Sequence, residues 1–200
     1  MSAPSRALRV LRLAVPCALL AAVAACSAGP AGVVDLEGRA VDPLEDDSAA
    51  QVLVFVRTDC PIANRYAPEL RRLAEDFASR RVALSLVYPD PDEGPEQIAT
   101  HLAEYGLKAP GIRALRDPEH SLVARAQARV TPSAAVFAGG ELAYTGSIDD
   151  MWVEFGRARP HASKRYLAQA VDAVLAGKPP EVAETKAIGC YIPPLEGATP

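Results

Sequence analysis

The stretch that most constrains this chain is Val52 to Leu73, VLVFVRTDCPIANRYAPELRRL. Its apolar opening, Val52 to Val56 closed by Arg57, has the length and β-branched content of a buried strand. Thr58 and Asp59 break the run and Cys60 follows. Pro61 then stands where a first helical residue belongs, a position at which proline forfeits no hydrogen bond. Ile62, Tyr66, Leu70 and Leu73 recur at helical spacing, so the segment predicts strand, tight turn and helix. Cys60 falls at or beside the helix N-cap. There its sulfur would meet unpaired backbone N–H groups and the positive end of the helix dipole, which favour thiolate over thiol. Asp59 opposes that charge while Arg57 and Arg65 favour it, so local sequence leaves the balance open. A reactive cysteine and an inert buried one at a strand end both fit the pattern.

The first 25 residues read differently. Arg6, Arg9 and Arg12 form a basic start, and Leu13 to Ala25 an apolar run too short to span a bilayer comfortably. The run ends in Val23-Ala24-Ala25-Cys26, which resembles a bacterial lipobox, and that resemblance makes Cys26 the lipidated first residue of the mature protein. An ordinary secretory leader cut elsewhere is the alternative. Either way the expected location is the cell envelope, with the protein facing the periplasm or exterior, where disulfides persist. Losing three arginines and no acids takes the net charge from −4 to about −7. That acidic body argues against nucleic acid as a partner and leaves a lipid, not a basic patch, as the link to a membrane.

The expected organisation is a leader at 1–25, a tether and N-terminal extension at 26–50, an α/β domain at 51–178, and a proline-rich extended tail at 179–200. Within it, Val33–Val41 suggests a hairpin and Val82–Tyr88 a strong strand. Pro95–Tyr105 suggests a helix, Arg113–Leu115 a short strand, and Asp117–Ala126 a helix. Ala134–Phe137 and Leu142–Thr145 read as strands joined at Gly139-Gly140, and Ala162–Ala176 as a final amphipathic helix stopped by Gly177. The tail carries Cys190.

This order of elements resembles the thioredoxin superfamily, with Cys60 at the nucleophile's position and Thr131-Pro132 at that of the cis-proline loop. The resemblance implies a thioredoxin fold, a central mixed β-sheet flanked by helices, with Thr131 and Pro132 offering backbone groups to an incoming thiol or peptide. A closer similarity is to bacterial redoxin-domain (AhpC/TSA-like) lipoproteins carrying TDCP-I-x-N-x-Y-x-P-E. Thr58, Asp59, Cys60, Pro61, Ile62, Asn64, Tyr66, Pro68 and Glu69 fit that pattern. Downstream, Tyr144, Gly146, Ile148-Asp149-Asp150, Thr185 and Gly189-Cys190 also fit.

The departures matter as much. A C-x-x-C motif resolves its mixed disulfide with the second cysteine, and that position here is Ala63. The peroxiredoxin signature P-x-x-x-[T/S]-x-x-C meets Leu53 and Arg57, with Thr58 one residue away. Copper-delivery relatives use C-x-x-x-C, and Asn64 stands in place of the second thiolate. Cys60, Cys190 and one of His101, His120 or His161 remain a conceivable three-ligand set, although each histidine reads more simply as a surface or capping residue.

Cys190 is the natural candidate to resolve or protect Cys60 if the tail folds back. A structural bridge and no bridge are the alternatives. Trp152, within Asp149-Asp150-Met151-Trp152, reads either as part of a substrate-contacting lip or as a packed loop residue, with Asp149 as a cap. The reading is therefore a thiol–disulfide oxidoreductase acting on protein or small-molecule thiols and disulfides, with a thiol peroxidase or a non-catalytic copper or assembly chaperone as rivals. No organic cofactor is implied, since nothing resembles a nucleotide or flavin motif.

Overall fold

The computed structural model describes residues 32–195. The leader, Cys17 and the proposed lipid site Cys26 lie outside the described residues. In chain order the strands are β1 Val34–Asp35, β2 Ala50–Phe55, β3 Val82–Tyr88, β4 Ile112–Arg116, β5 Val130–Thr131, β6 Ser133–Ala138, β7 Glu141–Gly146, β8 Trp152–Glu154, β9 Arg157–Ala158 and β10 Cys190–Tyr191. The helices are α1 Pro61–Arg65, α2 Ala67–Ala78, α3 Pro95–Glu104, α4 Ser121–Ala126 and α5 Tyr166–Leu175.

Six strands form one mixed sheet in the order β1-β4-β3-β2-β6-β7. β2 sits inside it, parallel to β3 and antiparallel to β6, and every one of its residues is buried. Its alternate side chains feed two different cores, as a strand's period of two requires. Val52 and Val54 join Leu70, Leu73, Phe77, Leu167 and Val171 beneath α2 and α5. Leu53 and Phe55 join Val33, Leu44, Leu115 and Leu122 on the opposite face, beneath α4. Burying one such large apolar side chain stabilises the fold by about 1.5–3 kcal/mol, so this central strand is well placed to hold the turn at its end.

Several boundaries differ from the sequence expectation, each for a physical reason. The helix after Cys60 is not continuous: it breaks at Tyr66, which caps α1 and opens α2. Pro68 lies two residues beyond, where its ring would crowd the carbonyl of Asn64 in an unbroken helix. The dipole beside Cys60 is therefore that of a five-residue helix. α4 starts at Ser121 and not at Asp117. Asp117 instead caps it from outside, its carboxylate accepting from the N–H groups of Leu122 and Val123. α5 starts four residues later than expected, because Asp150 takes the N–H groups of Ser163 and Lys164 into a loop. The Gly139-Gly140 turn is as expected, with both residues at positive φ as a two-residue hairpin of this hand demands.

Candidate functional site

Cys60 is the N-cap residue of α1, in extended conformation, with Pro61 as the first helical residue. It is fully buried. Its thiol donates to the Thr131 carbonyl at 3.0 Å. The next peptide bond along that loop, Thr131-Pro132, is cis. The strand end that carries Cys60 and the loop between β5 and β6 thus meet at the sulfur, 71 residues apart in the chain.

The tail arrives at the same point. β10 pairs antiparallel with β5, with Cys190 opposite Thr131 and Tyr191 opposite Val130. Cys190 and Cys60 thus converge on one residue, Thr131, and act on each other electrostatically. Burial, then the neighbouring Cys60, raise the Cys190 thiol above its ordinary pKa, and Asp59 adds to this while Arg57 opposes it. Cys190 is therefore held as a thiol. Gly189 makes the approach possible: a Cβ there would fall 2.1 Å from the Thr131 oxygen. Further back, the Thr185 hydroxyl bonds both Tyr144 Oη and the Ser147 N–H, and the Thr185 backbone pairs with Thr145. Gly146 leaves room for this residue, since a Cβ on Gly146 would lie 2.3 Å from Thr185.

A buried polar network holds the Cys60 turn in place, and the sequence does not announce it. Asn64 Nδ2 donates to the Thr58 carbonyl at 3.0 Å, which orients its amide. Its Oδ1 can only accept, so His101 Nε2 carries the proton at 2.8 Å, and Nδ1 accepts from Tyr88 Oη at 2.9 Å. Burial lowers the His101 pKa, in keeping with this neutral ring. Glu93, also buried, accepts from both the N–H and the hydroxyl of Thr58. Burial raises its pKa despite those bonds. Arg57 spans Asp90 at 2.9 Å and Asp59 at 3.1 Å, and its other terminal nitrogen reaches the Tyr191 carbonyl at 3.5 Å. Asn64 within the TDCP-I-x-N pattern is the one available signal; its partners come from distant elements.

The other candidates separate. Trp152 opens β8, half-buried, with the Arg65 guanidinium of α1 5.9 Å from its ring centroid and its indole N–H buried without a partner among the described residues. Asp149 is not a helix cap: it accepts from Tyr66 Oη at 2.5 Å and from the Met151 N–H. His101 is a core residue and not a surface one, with both ring nitrogens engaged. His120 reaches the Pro89 carbonyl, and His161 is exposed. No three His, Cys, Asp or Glu residues are grouped to hold a metal ion among the described residues, so the conceivable Cys–Cys–His set does not assemble. No described helix is long and apolar enough to cross a membrane.

The parallel β3–β2 pair, the antiparallel β6–β7 hairpin, a cysteine at the first helix and a cis proline facing it together decide the architecture. The fold is thioredoxin-like. This thioredoxin-like chain is similar in structure to a hypothetical protein of Sinorhizobium meliloti, at 27% identity and a TM-score of 0.69, covering 82% of this chain and 91% of that one. It is comparably similar to an uncharacterized conserved protein of Geobacillus kaustophilus, at 25% identity and 0.70, covering 83% and 89%. A secreted disulfide oxidoreductase of Mycobacterium tuberculosis matches at 16% and 0.49, over 72% and 93%, a likeness too remote to carry a function across. No family profile and no curated protein matches the chain.

Proposed function

We propose that this protein is an extracytoplasmic thiol–disulfide oxidoreductase of the redoxin type, held at the cell envelope by a lipid on Cys26. Cys60 is the nucleophile and Cys190 the resolving thiol. The observation that carries the reading is the meeting of two thiols on the cis-proline loop: Cys60 bonds the Thr131 carbonyl, and Cys190 pairs with that same residue. A fold that needed Cys60 only as a core residue would have no use for a second thiol delivered across 130 residues of chain.

In the reducing direction, Cys60 thiolate attacks one sulfur of a substrate disulfide and expels the other as a thiolate. Cys190 then gives up its proton and attacks the Cys60 sulfur of the mixed disulfide, releasing the second substrate thiol. Two electrons pass to the substrate, and the protein is left with a Cys60–Cys190 bond. The oxidising direction is the reverse. Because the second thiol comes from the tail, Ala63 at the local position is no obstacle. The peroxidase alternative draws less support, since Leu53 and Arg57 stand at its signature positions and the adjacent Thr58 hydroxyl is donated to Glu93 and accepts from Gln97. Trp152, beside Arg65 of α1, would border a bound partner, which would be a protein or small-molecule thiol or disulfide.

The test is to treat the reduced full chain with glutathione disulfide. Cys190→Ser should accumulate one glutathione on Cys60, while the parent should pass on to an internal disulfide. No adduct at Cys60 in the variant, together with no internal disulfide in the parent, would reject the assignment.

A further inference from the structure

Cys60 is 0% exposed, so no outside molecule reaches its sulfur in this arrangement. What covers it is slight. β10 meets β5 over two residue pairs, helped by the Ile192 N–H to the Arg129 carbonyl and the 3.5 Å contact from Arg57. Its outer side is bare, with Tyr191 82% exposed. Among the described residues β5 has no other strand partner than β10. The fit is also incomplete, because the buried Thr131 hydroxyl has no hydrogen-bond partner among the described residues. The root of the tail is different in kind, fixed by the Thr185 bonds to Tyr144, Ser147 and Thr145. Few buried contacts beyond a firm root is the pattern of a segment that opens locally while the domain stays folded. The five residues from Thr185 to Cys190 span at most about 17 Å, so an opened strand stays close enough to return.

We propose that residues Gly189–Tyr191 are a displaceable built-in ligand of the β5 edge, and that an outside polypeptide reaches Cys60 only by taking their place. The chemistry of that polypeptide is set by the tail it replaces: an extended segment, paired antiparallel with Val130-Thr131, presenting a cysteine preceded by glycine. The glycine is required because any Cβ at that position would strike the Thr131 carbonyl. Displacement of the tail stands on the geometry alone, whereas the chemistry after it rests on Cys60 and Cys190 acting as a redox pair. Substrate strand and tail cannot occupy β5 together. When the tail returns, Cys190 attacks the Cys60 sulfur of the mixed disulfide, the substrate thiol leaves, and the same strand closes the edge behind it.

The experiment measures how fast iodoacetamide labels Cys60 in the reduced full chain, resolved by peptide mass. All variants carry Cys190→Ser, which removes the second thiol and with it any pair chemistry. Cys190→Ser alone should label slowly, because the strand still covers Cys60. Adding Gly189→Val should speed labelling at least tenfold, and adding Ile192→Pro, which deletes one N–H bond at the far end of the strap, should speed it severalfold. A synthetic peptide of residues 185–195 with Ser at the cysteine should slow labelling of the Gly189→Val variant again, and the same peptide with Ala for its glycine should not. Fast labelling in Cys190→Ser alone, or equal rates in all three variants, would overturn the proposal. So would equal protection by the Gly and Ala peptides. If the redox reading failed, the glutathione experiment would show it while these rates stayed as expected.

Discussion

Closing a Cys60–Cys190 bond is expected to stabilise the protein by about 4–5 kcal/mol over its reduced form. In the folded chain Cys190 sits opposite Thr131, whose carbonyl Cys60 bonds, so the bond demands little rearrangement. In the unfolded chain it ties residue 60 to residue 190. Closing a loop of about 130 residues removes roughly 5 kcal/mol of denatured-state entropy at 25 °C. For a chain of this size the gain corresponds to a rise in Tm of about 10–20 °C. With a urea slope of about 2 kcal/mol/M, it moves the unfolding midpoint by about 2 M. The assay is urea unfolding followed by far-UV circular dichroism, on oxidised and fully reduced protein, with Cys60→Ser/Cys190→Ser as the control that ignores reductant. By the same thermodynamic cycle the bridge should be about 100 mV harder to reduce folded than unfolded. Coincident midpoints, or a less stable oxidised form, would refute the reasoning, because bridging would then distort the folded chain by as much as it restrains the unfolded one.

Three further outcomes concern buried polar groups. Tyr66→Phe removes the only side-chain donor to buried Asp149 among the described residues and should cost about 1–3 kcal/mol by urea unfolding; an unchanged midpoint would mean that the pair adds nothing. Burial raises Asp117 to about 6 from 3.8, so the folded chain holds this proton more tightly than the unfolded one. Its contribution is therefore fullest below about pH 4 and is lost as the pH rises through 6, a change of about 3 kcal/mol. Asp117→Asn should flatten that part of the stability–pH curve, and an identical slope in parent and variant would contradict the assignment. Thr185→Val deletes the hydroxyl joining Tyr144 and Ser147, and should quicken amide hydrogen exchange across residues 183–191 without altering β2 or β3; uniform exchange rates would show that the tail is not rooted there.

What is legible in the sequence is what neighbouring residues decide among themselves. β3 has the bounds that its apolar run suggests, and α3 falls within a residue of the expected span. The Gly139-Gly140 hairpin is where turn chemistry puts it. The placement of Cys60 at a helix start likewise comes from a strand ending and a proline. What escapes depends on partners far along the chain. The late start of α5 is set by Asp150 reaching Ser163 and Lys164, and nothing in Ala162–Arg165 announces it. His101 reads as a surface residue because its partners, Tyr88 and Asn64, lie on other elements. The break at Tyr66 is in principle visible in Pro68, but the apolar spacing runs through it unchanged. The tail is the instructive case. Thr185 and Gly189-Cys190 stand out as a pattern, yet only the register of β10 on β5 explains why glycine precedes the cysteine.

The measurement that bears most directly on the central claim is site-resolved alkylation of the full chain isolated under oxidising conditions, before and after reduction. A functional pair requires that neither Cys60 nor Cys190 takes label before reduction, under denaturing conditions that expose both, and that both take it afterwards. Label on both residues before reduction would contradict the claim, because two thiols brought to the same residue, Thr131, would then have failed to form the bond on which the proposed reaction turns.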